Sequence, residues 1–155
     1  MRRLSLDRSN LTKDFGPLYH PLQQMSTNID QNSHSSPQVR SFPLRIAMIG
    51  TGAIARLHLP GFINRPDAVR LSRICELSPQ AAENVARQLP YPVAVERDYR
   101  NLIGADDVDA ALVALPHYLH YPVAAELAGA GIPVLVEKPL TCTLGEARRL
   151  HAISQ

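Results

Sequence analysis

A chain of 155 residues, 45% hydrophobic and 19% charged, has enough apolar content for one domain-sized core. Its net charge of +2 argues against a broad nucleic-acid or anionic-membrane footprint. No apolar run approaches the roughly 18 residues a membrane-crossing helix needs, and the two cysteines, Cys75 and Cys142, have neither metal-ligand nor redox spacing. These features point to a cytoplasmic protein with buried or semi-buried free thiols, no metal, no nucleic-acid partner and no membrane association.

Residues 1–43 are rich in Ser, Asn, Gln and Pro and carry no sustained helix or strand period. Such a segment cannot bury enough apolar area to offset its ordering entropy, so a disordered tail is expected. Met1-Arg2-Arg3-Leu4-Ser5-Leu6 lacks the apolar core of about 7–15 residues that a secretory signal requires. Asp7, Asp14 and Asp30 speak against a transit peptide, which is poor in acids. An untargeted tail, or a start upstream of the biological one, fits better.

From Leu44 the pattern changes. Leu44 to Ile49 is apolar on both faces and reads as a buried parallel strand. Ala53 to Ile63 reads as a helix with Ile54, Leu57 and Phe62 on its inner side. Ala68 to Cys75 supplies a second strand, with Glu76 at its exit. Ser78-Pro79 caps a helix from Gln80 to Leu89. Pro92 to Val95 is a short third strand, and Asp98 caps a brief helix ending near Gly104. Val108 to Leu115 is the fourth strand. His117 to Ala130 reads as a helix, stopped by Gly131 or already by Gly129. Ile132 to Val136 is the fifth strand, and Thr143 with Glu146 has capping-box spacing for a last helix. Alternating strands and helices predict an α/β fold, a doubly wound parallel sheet (Rossmann) of five strands in the order 3-2-1-4-5.

The chemistry gathers at strand ends. Gly50-Thr51-Gly52-Ala53-Ile54-Ala55 is a Gly-x-Gly-x-x-Ala turn between a strand and a helix, the context in which such a turn binds a dinucleotide. Gly50 permits the tight turn, Gly52 lets backbone approach a pyrophosphate, and Ala55 lets the helix pack close to the sheet. The helix N-terminus offers N–H groups to the phosphates.

Glu76 lies 24 residues beyond Gly52 at the end of the second strand. An acid there accepts hydrogen bonds from an adenosine ribose and repels a 2′-phosphate; the alternative is a solvated strand-end carboxylate. Neither Leu77 nor Ser78 supplies the arginine that NADP favours. NAD is therefore the expected cofactor, with NADP open because Arg73 or Arg97 could approach.

Pro116, His117 and His120 follow the fourth strand, facing the crevice where open α/β sheets bind ligands. A histidine there could touch the nicotinamide ribose or a substrate hydroxyl. Read alone, each is better explained as a solvated residue at a helix start. Glu137-Lys138-Pro139 follows the fifth strand, and Lys138 is one of only two lysines, with Lys13. Pro139 biases Lys138 toward extended backbone and holds it at the strand end. An ammonium there can orient a substrate hydroxyl or assist proton transfer, although a plain surface lysine explains it equally well.

Residues 44–153 resemble the N-terminal domain of the glucose–fructose oxidoreductase / inositol dehydrogenase family, often written Gfo/Idh/MocA. The residues that carry the likeness are Gly50 to Ala55 with His58 after them, Glu76, Val108-Asp109-Ala110, Pro116 through His120, and Val136-Glu137-Lys138-Pro139-Leu140. The resemblance implies oxidation or reduction of sugars, inositols and related polyols with NAD or NADP. It implies that Gly50, Gly52, Ala53, Ile54 and Glu76 line the cofactor, that the Pro116–His117 loop and Glu137 border its nicotinamide half, and that Lys138 sits at the reacting centre, with His120 a weaker catalytic candidate. Family members commonly carry Asn where this chain has His117, which puts that loop's polar contact in doubt. The family's second domain would begin just after residue 155, so residues 44–155 are expected to be a dinucleotide-binding domain without its substrate domain.

Three functions follow as expectations. The first is the nucleotide-binding domain of an oxidoreductase acting on CH–OH groups, with a polyol or sugar substrate if a substrate domain is supplied. The second is a truncated, non-catalytic NAD-binding module, and the third a cofactor-dependent regulator. In the isolated chain the loss of positioning and water exclusion predicts little or no turnover. The face that would meet a second domain predicts self-association.

Overall fold

The computed structural model describes residues 42–155. The expectations for residues 1–41 lie outside the described residues. From Leu44 the chain forms β1 (Leu44–Ile49), α1 (Ala53–Asn64), β2 (Val69–Cys75), α2 (Pro79–Ala86) and β3 (Ala94–Glu96). A 3₁₀ helix (Tyr99–Leu102), β4 (Ala110–Val113), α3 (His117–Gly129), β5 (Val134–Val136) and α4 (Leu144–Ile153) complete it. The five strands form one sheet in the order β3-β2-β1-β4-β5, every neighbouring pair parallel. The α/β class, the five strands and their order are those the sequence predicts.

Alternation along the strands explains the two layers. Met48 and Leu112 point to one face, where they meet Ala55, Leu59 and Phe62 of α1 and Ala82 and Val85 of α2. Ala47, Ile49, Ala111 and Val113 point to the other, against Leu102, Val123 and Leu127. Both faces are covered, which is why β1 and β4 read as continuous apolar runs. In β2 the alternation breaks. The register passes from Ile46↔Leu71 to Ala47↔Arg73, so Ser72 is an extra residue and Leu71 and Ile74 share a face.

Helix α1 shows one difference from the sequence reading. Its buried residues are Ala55, Leu59 and Phe62, whereas Leu57 is 74% exposed. The inner stripe follows the i, i+4, i+7 spacing that starts at Ala55, the small residue that allows close packing. The caps form as their residue types predict. Ser78 accepts from the Ala81 N–H, Asp98 from the Arg100 N–H, and Thr143 and Glu146 make a reciprocal capping box. Strands β3, β4 and β5 are Ala94–Glu96, Ala110–Val113 and Val134–Val136, each starting two residues later than its apolar run. Of the two thiols, Cys75 is buried as expected and Cys142 is exposed. No helix of the described residues is long and apolar enough to cross a membrane, and no metal-ligating cluster is found among them.

Candidate functional site

The carboxyl ends of β1, β2 and β4, with the segment after β3, enclose an open crevice of about 1030 Å³. That is the upper end of the range for small-molecule sites. Gly50, Gly52, Ala53, Ile54, Glu76 and Pro116 line it, bringing six of the residues singled out by sequence to one place.

The two glycines serve different needs. Gly50 has φ +87°, and a Cβ there would meet the Ala114 carbonyl oxygen at 2.6 Å. The fold itself therefore demands glycine at 50. Gly52 caps α1 with φ −65° and ψ −173°, backbone any residue adopts, and a Cβ there would meet nothing within 4 Å. No protein contact explains glycine at 52. The open space in front of it does, because α1 starts there with no side-chain cap. A helix N-terminus without a cap, faced by a glycine and open to the crevice, fits the pyrophosphate of a dinucleotide.

Glu76 reaches back to this turn. Its Oε2 accepts from the Thr51 N–H at 3.0 Å and from the Thr51 hydroxyl at 2.7 Å, while Oε1 accepts from the Ser78 N–H at 3.0 Å. Burial pushes its carboxyl up, but the hydrogen bonds from Ser78 and Thr51 outweigh this and hold it below the ordinary range. Thr51 is 2% exposed, and it hides inside the Gly-x-Gly spacing. Cys75 also borders the crevice, where burial pushes its thiol up to about 12 and keeps it protonated.

The other lip carries the remaining candidates, none of which lines the crevice itself. His117 is exposed at the start of α3, with its ring against that of His120. His120 is 1% exposed, its Nδ1 lying 2.7 Å from the Pro139 carbonyl oxygen and its Nε2 2.8 Å from that of Leu115. It therefore clasps the loop after β4 to the loop after β5. Glu137 Oε1 lies 2.7 Å from His58 Nε2 of α1, and Glu137 Oε2 accepts from the Lys138 N–H at 3.2 Å. The His58 contact first, and then the Lys138 N–H, hold the Glu137 carboxyl below its ordinary range against partial burial. Lys138 is exposed at the tip, and its peptide bond to Pro139 is cis.

Of the crevice's third wall, the sequence singled out Arg97 as an approach to the cofactor and Asp98 as a helix cap, but not Tyr99 or Arg100. Arg97, Asp98, Tyr99 and Arg100 line it, and Tyr99 and Arg100 both bond Glu126 of α3. The signal was present, since these residues follow β3 as Glu76 follows β2. The sequence ends the third strand at Val95, one residue short of its end at Glu96, but its exit carries no glycine turn or lone lysine to mark it as part of a site.

Residues 44–155 match the oxidoreductase family with the NAD-binding Rossmann fold. The chain is 35% identical over 112 residues to an inositol 2-dehydrogenase of Corynebacterium glutamicum, covering 72% of this chain and 33% of that protein. Among solved structures it is similar to a 3-ketoreductase from Actinomadura kijaniata in complex with TDP-benzene and NADP, at 34% identity and a TM-score of 0.65, covering 72% of this chain and 35% of that one. It is also similar to a myo-inositol 2-dehydrogenase from Lactobacillus plantarum, at 26% identity and a TM-score of 0.64, over 72% and 32% of the two chains. The chain thus spans about a third of the length of the relatives it matches.

Proposed function

The chain belongs to the Gfo/Idh/MocA oxidoreductase family, and we propose that residues 44–155 hold the dinucleotide for hydride transfer at a CH–OH carbon of a polyol or sugar. The observation that carries this is the glycine at 52. It faces open space at an uncapped helix N-terminus, where neither backbone nor packing requires it. Gly50, Gly52, Ala53 and Ile54 would hold the pyrophosphate, and Glu76, through the lone-pair capacity its three hydrogen bonds leave, the adenosine ribose. Pro116, His117 and Glu137 would border the nicotinamide half.

A bound nicotinamide supplies the hydride chemistry, and the protein's own groups position and polarise. Lys138 stands at the strand end to orient the substrate hydroxyl and to stabilise charge as its proton leaves. His120 has both ring nitrogens on backbone carbonyls, so its part is to position the two loops rather than to touch substrate. Inositol or sugar substrates are supported by the names of the similar proteins. Because the chain spans a third of those proteins, turnover requires a substrate-binding part beyond residues 44–155. A cytoplasmic location, residues 44–155 as a domain of its own, and self-association through the face that would meet a second domain belong to the same proposal.

The test is direct titration of the purified chain with NADH and NADPH. The chain has no Trp, so reduced-nicotinamide emission is read without tryptophan background. Saturable binding of either is expected. No binding at about millimolar concentration, the weak end of useful affinity, would sink the reading. A non-catalytic module is favoured over an enzyme if binding is seen and no polyol oxidation accompanies it in the complete protein.

A further inference from the structure

Arg97 stands beside Glu76 at one end of the crevice. Strands β2 and β3 pair in parallel with Cys75 opposite Glu96, and the Glu76 N–H donates to the Glu96 carbonyl at 3.0 Å. One step further along both strands puts Arg97 next to Glu76, neighbouring strands being about 4.8 Å apart. Both residues line the crevice, as does Leu77.

The other arginines nearby are engaged. Arg73 bonds Asp107 at 2.9 Å and Glu96 at 2.7 Å, and Arg100 bonds Glu126 at 2.9 Å. Arg97 is exposed and makes no ion pair or hydrogen bond among the described residues. Glu76 does not draw it in, because that carboxylate is turned toward Thr51 and Ser78. An acid and an arginine thus flank one point of the crevice without neutralising each other.

We propose that Arg97 is a specificity-determining residue that receives the 2′-phosphate of NADP, so that the crevice accepts NADP as well as NAD. This rests on the dinucleotide-binding reading above. Glu76 favours a ribose diol and disfavours a phosphate at the same position. Arg97 supplies the opposite preference from the adjacent strand end. A guanidinium fork suits a phosphate because it gives two parallel charge-assisted hydrogen bonds. The three donors on Glu76 also spread its charge, which lessens repulsion of a phosphate beside it.

The experiment compares NADH and NADPH titrations of the wild-type chain, Arg97→Gln and Arg97→Lys. Arg97→Gln should weaken NADPH binding about tenfold or more, the scale of lost charge-assisted hydrogen bonds, while NADH binding stays within about twofold. Arg97→Lys should keep part of the NADPH affinity, and added salt should weaken NADPH more in the wild type than in Arg97→Gln. Since Arg97 is exposed and contributes no bond to the fold, both variants should melt as the wild type does. An unchanged NADPH/NADH ratio, or equal weakening of both, overturns the role of Arg97 while leaving the crevice intact. Failure of the wild type to bind either nucleotide overturns the binding reading and this inference together.

Discussion

Thr51 and Glu76 are joined twice across the ends of β1 and β2, by the Thr51 N–H at 3.0 Å and the Thr51 hydroxyl at 2.7 Å, both donating to one carboxylate oxygen. The glycine turn is thereby anchored to the neighbouring strand by a side chain that the sequence suggests only for a ribose contact. Glu76 has two tasks, and its ionised form serves both.

The first task predicts an acid-linked loss of stability. The Glu76 carboxyl is held below its ordinary value of 4.5 in the fold. Its ionised form therefore stabilises the protein above that value, and the contribution fades as pH falls through the lower, folded value. Glu76→Gln should melt below the wild type at neutral pH, and the gap should close as pH falls below that ordinary value. Melting curves across that range check this; a gap that does not change with pH would show that the Thr51 link gains nothing from the charge. The second task is read by Glu76→Ala, which should narrow any preference for NADH over NADPH.

The two glycines of the turn should separate fold from ligand. Gly50→Ala forces a side chain into left-handed backbone and against the Ala114 carbonyl. It should cost about 2 kcal/mol or more in chemical denaturation. Gly52→Ala meets no protein atom and should leave stability unchanged or slightly raised. Its methyl group would stand where the pyrophosphate approaches, so NADH binding should fall about tenfold or more. Equal NADH affinity in Gly52→Ala and wild type would remove the phosphate site from this turn.

The strand order and the three side-chain caps were legible because each rests on local chemistry. Apolar runs such as Ile46–Ile49 and Ala110–Val113 mark strands, and Ser78, Asp98 and Thr143 announce helix starts. Gly50 and Gly52 were legible as a turn with separate reasons, a tight turn at 50 and backbone approach at 52, but the clash with Ala114 that enforces the first was not, because it is a contact across 64 residues. The same holds for His58 with Glu137, 79 residues apart, and for His120 with Pro139. Partners chosen by the fold leave no spacing in the chain. On the inner face of α1 only Leu57 was misplaced: it is exposed, while Phe62 is buried and Ile54 packs against the core. Ala55 meets the sheet as its place in the glycine turn implied, and Leu57, two residues on, therefore faces away.

The His58–Glu137 contact ties α1 to the segment that carries Lys138. His58→Ala should let the Glu137 carboxyl rise toward its ordinary value of 4.5, since His58 is the largest influence holding it down. A carbon-13 titration of the Glu137 carboxyl reads this directly. Lys138→Ala should leave NADH affinity of the chain within about twofold, because a residue off the crevice lining contributes little to holding the nucleotide. In a full-length relative carrying this segment, it should lower kcat more than it alters cofactor affinity. Unchanged kcat would remove Lys138 from the reacting centre.

His120 offers the sharpest test of positioning. Both of its neighbours, the Leu115 and Pro139 carbonyl oxygens, are acceptors, and a neutral imidazole carries a single N–H. Only a ring with two protons makes both hydrogen bonds at once, and nitrogen-15 shifts of the ring count those protons directly. His120→Phe keeps a ring in place and removes both nitrogens that face these carbonyls. It should cost about 1–3 kcal/mol, the penalty for leaving buried polar groups unpaired. It should also speed amide exchange in the segments flanking Leu115 and Leu140 more than in β1 or β2, because the clasp joins only those two loops. A loss of stability spread evenly over the sheet would make His120 an ordinary core residue. Unchanged stability and exchange would mean that the loops keep their spacing by other contacts.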